Sequence, residues 1–266
     1  MRCEHVTGFF MADAAQVTER FSDRVADYVR YRPGYPREIV TTLAAECGLT
    51  SASVIADVGC GPGNLARVFL ENGNRVIGVE PNGPMREAGV REMARAGDRF
   101  EAVDGSAENT GLVANSVDFI TAGQAFHWFE ADKARAEFVR ILRPGGWCVL
   151  VWNEHHRSSA FLDEYDGLLR RHGTDYAEVR GKRNAAMEVE RFFAPLAVRL
   201  REFTYQQHFD YEGLRGRLES SSYAPRPGQA AYEPMMTELR ELFGRYAEDG
   251  RVAFEYETFL YYGQLA

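Results

Sequence analysis

Between residues 14 and 31 the apolar positions Val17, Phe21, Val25, Tyr28 and Val29 recur at helical spacing, and Pro33-Gly34 then stops the helix. A second amphipathic helix follows. Ile39, Val40, Leu43, Ala44 and Cys47 share one face, Pro36 suits its first position, and Gly48 suits a left-handed C-terminal cap. From residue 53 the pattern changes to short β-branched runs: Val54–Val58, Arg75–Val79, Phe100–Val103, Val117–Ala122 and Trp147–Trp152. Helical stretches at Asn64–Asn72, Pro84–Ala96 and Ala131–Leu142 lie between them. This alternation predicts successive βαβ units, whose right-handed crossovers put helices on both faces of a parallel sheet.

After Asn153 the grammar alters. Helical stretches at Phe161–His172 and Ala185–Phe193 lead to an alternating run, Phe203–Phe209, and further helical stretches lead to a second run, Val252–Tyr262. Neither late run has a core partner of its own, so both are expected to complete the same sheet. The expectation is a doubly wound α/β fold with a seven-stranded, mostly parallel sheet, N-terminal helices and a helical C-terminal insertion or lid. With 266 residues, 45% of them hydrophobic, one large domain suffices. We place an N-terminal extension at 1–20 and a single domain at 21–266. Within it lie a ligand-binding core at 50–153, a substrate-covering part at 154–251 and a final strand at 252–262. The first ten residues carry no clear element, which leaves both Met1 and Met11 open as the start.

Charge and composition narrow the partners. The formal net charge is −8 and no Lys/Arg-rich run stands out, so no nucleic-acid partner is expected. No stretch approaches the ~18 consecutive apolar residues that span a bilayer, and the first ten residues lack the apolar run of a signal peptide. No membrane association and a cytoplasmic location are expected. Cys3, Cys47, Cys60 and Cys148 form neither a CxxC pair nor a zinc-spaced cluster with histidine, so reduced thiols and no metal are expected. The oligomeric state is left open.

The segment richest in chemistry is Val54-Ile-Ala-Asp-Val-Gly-Cys-Gly-Pro-Gly-Asn64, in which an apolar strand runs into three glycines at alternate positions and then into a helix. Gly59, Gly61 and Gly63 permit a tight turn and a close ligand approach at the carboxyl end of the strand. The spacing is GxGxG and not the GxGxxG that seats a dinucleotide pyrophosphate on a helix N-terminus, which disfavours NAD and FAD. Glu80 closes the second strand, where an acid would accept hydrogen bonds from ribose hydroxyls. An adenosine moiety without a pyrophosphate fits both features.

Here the sequence resembles the class I S-adenosylmethionine-dependent methyltransferases, in particular the methyltransferase type 11 group and enzymes similar to trans-aconitate methyltransferase. Asp57-Val-Gly-Cys-Gly-Pro-Gly63 resembles the first motif of that family, and Val79-Glu-Pro-Asn-Gly-Pro-Met85 the second. The resemblance implies S-adenosylmethionine as cofactor and S-adenosylhomocysteine as product. Asp57 and the loop, with Asn64, would face the amino-acid end, Glu80 would hold the ribose, and Pro81 and Met85 would flank adenine. Gly105-Ser-Ala-Glu108 matches the adenine-contacting segment. Many relatives have Asp where this chain has Ser106, so the Ser106 hydroxyl or the Ala107 backbone would take that contact beside Glu108. Ala122, Gly123 and Gln124 would border the methionine portion, and Tyr31 and Arg32 would come from a helix closing over the cofactor.

The resemblance also implies a small-molecule acceptor, with a carboxylate or hydroxyl as our choice. His127 and Trp128 are expected at the mouth of the pocket, His127 as a catalytic or acceptor-orienting imidazole or else as a structural histidine. Tyr223 and Arg226 are substrate-binding candidates, Arg226 for an acceptor carboxylate. His155 and His156 are weaker candidates on a loop, and the aromatic run from Phe254 to Tyr262 reads as strand packing. Two alternatives stay open: methylation of RNA or protein on the same fold, and a non-catalytic S-adenosylmethionine-binding module.

Overall fold

The computed structural model describes residues 25–155, 159–176 and 186–266. Expectations that fall on residues 14–24, on Cys3, on His156 and on Ala185 lie outside them. The elements, numbered along the described chain, begin with α1 (Val25–Tyr31) and α2 (Glu38–Cys47). Gly48 ends α2 in the left-handed conformation at φ +71°, and its N–H bonds to the Leu43 carbonyl. The βαβ section contains β1 (Val54–Val58), α3 (Asn64–Glu71), β2 (Arg75–Val79), α4 (Gly83–Glu92), β3 (Phe100–Val103), β4 (Val117–Gly123), α5 (Ala131–Ile141) and β5 (Leu142–His155). The C-terminal section contains α6 (Ala160–His172), α7 (Ala186–Phe193), β6 (Arg199–Phe209), α8 (Tyr211–Glu219), α9 (Tyr232–Tyr246) and β7 (Val252–Gly263).

All seven strands form one sheet in the order β3-β2-β1-β4-β5-β7-β6. β1 through β5 pair in parallel, whereas β7 runs antiparallel to both β5 and β6. The chain order reverses between β1 and β4, which makes their carboxyl ends the switch point where α/β sheets bind ligands. β1 is central and apolar except for Asp57, with Ile55, Ala56 and Val58 fully buried between helical layers. On β7 burial alternates strictly from Val252, so that Phe254, Tyr256, Thr258, Leu260 and Tyr262 share one buried face.

Three boundaries differ from the periodicity. α4 stops at Glu92 and a tight 3₁₀ turn, Ala94–Arg99, follows, with Gly97 at φ +58° breaking the helix. β5 begins at Leu142, because Leu142 already pairs with Val117 before a bulge through Pro144-Gly-Gly brings Trp147 opposite Phe119. β6 begins at Arg199, four residues before the alternating run Phe203–Phe209. α6, α8 and α9 pack their apolar faces on Phe254 and Tyr256 to make one aromatic cluster.

Candidate functional site

The glycine loop is held from below. Gly59 N–H bonds to the Val79 carbonyl at 2.8 Å, and Gly61 N–H bonds to Glu80 Oε2 at 2.8 Å. Gly59, Gly61 and Gly63 all have positive φ, at +67°, +54° and +90°. They differ in surroundings. A Cβ on Gly59 would lie 2.7 Å from the Ala125 methyl and one on Gly63 would press on Met93, but one on Gly61 would meet nothing within 4 Å. Close packing therefore fixes the ends of the loop, and its middle faces open space.

Two acids sit at this switch point. Glu80 is 8% exposed, and its Oε1 also accepts the Asn82 N–H at 2.9 Å. Burial raises its pKa, and the two backbone donors and Arg86 pull the other way. Each oxygen keeps a second lone pair for a further donor such as a ribose hydroxyl. Asp57 is fully buried. Its Oδ1 accepts the Thr121 hydroxyl at 2.8 Å, and its Oδ2 has no hydrogen-bond partner. Burial pushes its pKa up to about 7, against the pull of Thr121 and the Ala66 N–H. Such an oxygen lacks a donor.

The loops after β2 and β3 close the outer side. Asn82 caps α4 by accepting the Met85 N–H at 3.0 Å, which buries Met85, while Pro81 is exposed. Ser106 and Asn109 pair through their backbones, Ala107 is buried, and Glu108 Oε1 accepts the Glu130 N–H at 2.8 Å. Gly105 permits this turn to lie against β2 and Thr110: a Cβ there would meet the Thr110 carbonyl at 2.7 Å and Val79 at 3.0 Å.

On the inner side a cleft opens at the carboxyl ends of β4 and β5. α1 and the turn after it supply Tyr28, Arg32, Pro33 and Tyr35; α3 supplies Asn64, β5 supplies Asn153 and His155, α8 supplies Arg217, and Gln124 follows β4. Gln124 takes the left-handed conformation at φ +55°, anchored by its N–H to the Val151 carbonyl and by Nε2 to the Asn153 carbonyl at 2.6 Å. Asn153 Nδ2 donates to the Gly34 carbonyl at 2.9 Å and its Oδ1 accepts the Thr258 hydroxyl at 2.6 Å, so one buried amide ties the N-terminal segment to β5 and β7. The Tyr35 hydroxyl lies over Gly123, where a Cβ would come within 2.6 Å of it. Burial, and then the neighbouring Tyr28 and Asp57, push the Tyr35 phenol well above its ordinary pKa.

The structure thus brings Asp57, Gly59, Gly61, Gly63, Asn64, Glu80, Met85, Ala107, Ala122, Gly123 and Gln124 to one end of the sheet. It separates Tyr31 from Arg32. Arg32 lines the cleft and donates to the Ser220 carbonyl at 2.9 Å, but the Tyr31 ring packs on Gly216 of α8. His127 and Trp128 stand half-buried on the turn Phe126–Trp128, their rings 4.8 Å apart, outside the residues lining the cleft. Tyr223 is 2% exposed, with its ring 4.9 Å from that of Tyr176 in the aromatic cluster. Arg226 is exposed on a turn and is not among the residues that line the cleft.

Sequence reasoning passed over Tyr35, Asn153 and Arg217 and ranked His155 low. Tyr35 was within reach, since it sits in the same Tyr-Arg-Pro-Gly-Tyr-Pro run as Arg32. Arg217 carries no local signal, because it joins the cleft only through the packing of α8 on β7.

The methyltransferase domain family matches residues 56–150. An uncharacterized methyltransferase of Mycobacterium tuberculosis is 33% identical over 153 residues, which are 58% of this chain and 60% of that protein. One from Geobacillus thermodenitrificans is 31% identical over 183 residues, 66% of this chain and 77% of that protein. The match thus spans about three fifths of the mycobacterial relative and over three quarters of the bacillar one. Among solved structures, a chain from Anaeromyxobacter dehalogenans superposes with a TM-score of 0.64 at 24% identity, covering 88% of this chain and 98% of that one. The likeness shows the same fold. Among the described residues no helix is long and apolar enough to cross a membrane, and no group of His, Cys, Asp and Glu could hold a metal ion.

Proposed function

This chain belongs to the methyltransferase family, and from that premise we propose that it transfers the methyl group of S-adenosylmethionine to a small-molecule acceptor and releases S-adenosylhomocysteine. The observation that carries the reading is Asp57 Oδ2, fully buried at the end of β1 with no hydrogen-bond partner, beside a glycine loop whose middle is open. The ammonium of the methionine moiety is the donor that this oxygen lacks.

When bound, the cofactor supplies an already activated sulfonium methyl, so the protein's task is to bind, align and exclude water. Glu80 would hold the ribose hydroxyls with its remaining lone pairs. Pro81, Met85, Ser106, Ala107 and Glu108 would border the adenine, and Asn64, Ala122, Gly123, Gln124 and Arg32 the methionine end. Tyr35, over Gly123, would shield that end from solvent. The acceptor would enter the cleft lined by Gln124 and Asn153, with His155 nearer to it than His127. A base is required only where the acceptor atom still carries a proton.

Calorimetric titration with S-adenosylmethionine, S-adenosylhomocysteine and NAD in parallel tests the reading. The first two should bind in the micromolar range and NAD should not. Binding of NAD, or of none of the three, would sink it.

A further inference from the structure

Arg217 is 3% exposed, yet no carboxylate stands against it among the described residues. Its Nε donates to Tyr256 Oη at 3.0 Å, its Nη1 donates to Ser221 Oγ at 3.2 Å, and its Nη2 lies 3.4 Å from His155 Nε2. The guanidinium carbon is 5.4 Å from the Phe254 ring centroid and 5.9 Å from that of Tyr256. None of these partners is an anion. A guanidinium does not give up its proton, and a buried charge without a counter-charge is costly. Cation–π contacts and neutral acceptors offset only part of that cost.

Arg217 also reaches the cleft, and none of the residues lining the cleft is acidic. A second polar atom at the same place lacks a partner: the Tyr165 hydroxyl is buried with no hydrogen bond, and its ring lies 6.1 Å from that of His155. The cleft holds two guanidinium groups with different neighbours. Arg32 acts on Tyr35, which also feels Asp57, and, second to Arg217, on Tyr165 and Tyr256 within the aromatic cluster. Arg32 is therefore the cation shared by both ends of the cleft, and Arg217 belongs to the far end.

We propose that Arg217, with the Tyr165 hydroxyl and His155 beside it, docks an oxyanion carried by the methyl acceptor, a carboxylate or a phosphate monoester. The inference rests on the methyl-transfer reading and gives its acceptor a charge. A bidentate guanidinium contact orients such a group and supplies the missing counter-charge, and the neutral phenol adds a donor. The methionine carboxylate of the cofactor has the same chemistry, so the test must separate the two sources.

Protein saturated with S-adenosylhomocysteine is titrated with benzoate and phenyl phosphate, with benzamide as the neutral control, using the wild type, R217Q, R217K and Y165F. At least one anion should bind and benzamide should not. R217Q should weaken anion binding by about tenfold or more, R217K should keep part of it, and Y165F should weaken it by a few fold. The affinity for S-adenosylhomocysteine should stay within about twofold in all three variants. If R217Q does not fold, R217K and Y165F carry the test. A parallel loss of S-adenosylhomocysteine affinity would assign Arg217 to the cofactor carboxylate and overturn the proposal. So would equal binding of benzamide and benzoate, no anion binding by the wild type, or anion binding unchanged in the variants. Failure of the wild type to bind S-adenosylhomocysteine would instead sink the methyl-transfer reading itself.

Discussion

Glu80 Oε2 accepts the backbone N–H of Gly61 at 2.8 Å, so the acid that ends the second strand also fixes the glycine loop that ends the first. The acid proposed to hold the ribose and the glycine loop are thereby one unit. Either one moved displaces the other.

Glu80→Ala should damage folding and binding together. It leaves the N–H groups of Gly61 and Asn82 without their acceptor, a loss of about 1–3 kcal/mol for each group that stays buried. Glu80→Gln keeps one acceptor oxygen and should lose less stability. Urea unfolding should rank the proteins wild type, Gln, Ala, and calorimetry should show S-adenosylhomocysteine affinity falling by about tenfold or more in Ala. Unchanged affinity in Glu80→Ala would remove Glu80 from the site.

Asp57 should give the protein a distinctive pH dependence. Burial pushes its pKa up to about 7 in the folded chain, well above the ordinary carboxylate value near 4. Between about pH 4 and 7 the native state holds a proton that the unfolded chain has released, so this group's contribution to stability falls as pH rises through that window. Asp57→Asn should flatten that slope and be the more stable protein at pH 8, by at most about 4 kcal/mol. Ligand binding should run the other way. An ammonium prefers the ionised carboxylate, so S-adenosylhomocysteine affinity should rise from pH 6 to 8 in the wild type and lose that rise in Asp57→Asn. Parallel pH profiles of the two proteins would exclude Asp57 as the ammonium partner.

Gly61→Ala and Gly59→Ala should fail differently. Both put a side chain at positive φ, a strain of about 1 kcal/mol, but only Gly59→Ala also drives a Cβ to 2.7 Å from Ala125. Gly59→Ala should therefore lose clearly more melting temperature. Gly61→Ala should stay folded and lose S-adenosylhomocysteine affinity, because its methyl occupies the open face of the loop. Full affinity in a folded Gly61→Ala protein would mean that no ligand approaches there.

The fold was legible wherever one element carried its own signal. The apolar run of β1, the alternation of β7 and the Gly48 cap each specify local geometry that packing did not override. Asp57, Glu80 and the glycines were equally readable, because strand, turn and acid lie within one βαβ unit. The far end of the cleft was not. Arg217, Tyr165 and His155 come from α8, α6 and β5, and only the packing of the helices on Phe254 and Tyr256 brings them together. Arg226 was chosen for the charge it would offer an acceptor carboxylate, and it stands exposed a few residues past the end of α8.

Tyr31 and Gly216 supply a further test, one that leaves the sheet untouched. A Cβ on Gly216 would lie 2.0 Å from the Tyr31 ring, so α1 seats on α8 only because that position has no side chain. Alanine there should favour the helix by about 1 kcal/mol on propensity alone, which makes any loss attributable to the ring. Gly216→Ala should lift α1 and with it Arg32 and Tyr35, which line the cleft. S-adenosylhomocysteine affinity should fall by about tenfold while the unfolding transition moves little. Tyr31→Ala creates room for the new methyl, so the double variant should recover part of the lost affinity, a coupling that neither single change predicts. Strict additivity of the two losses would show that α1 holds the cleft through Arg32 and Asn153 alone, without the Tyr31 seat.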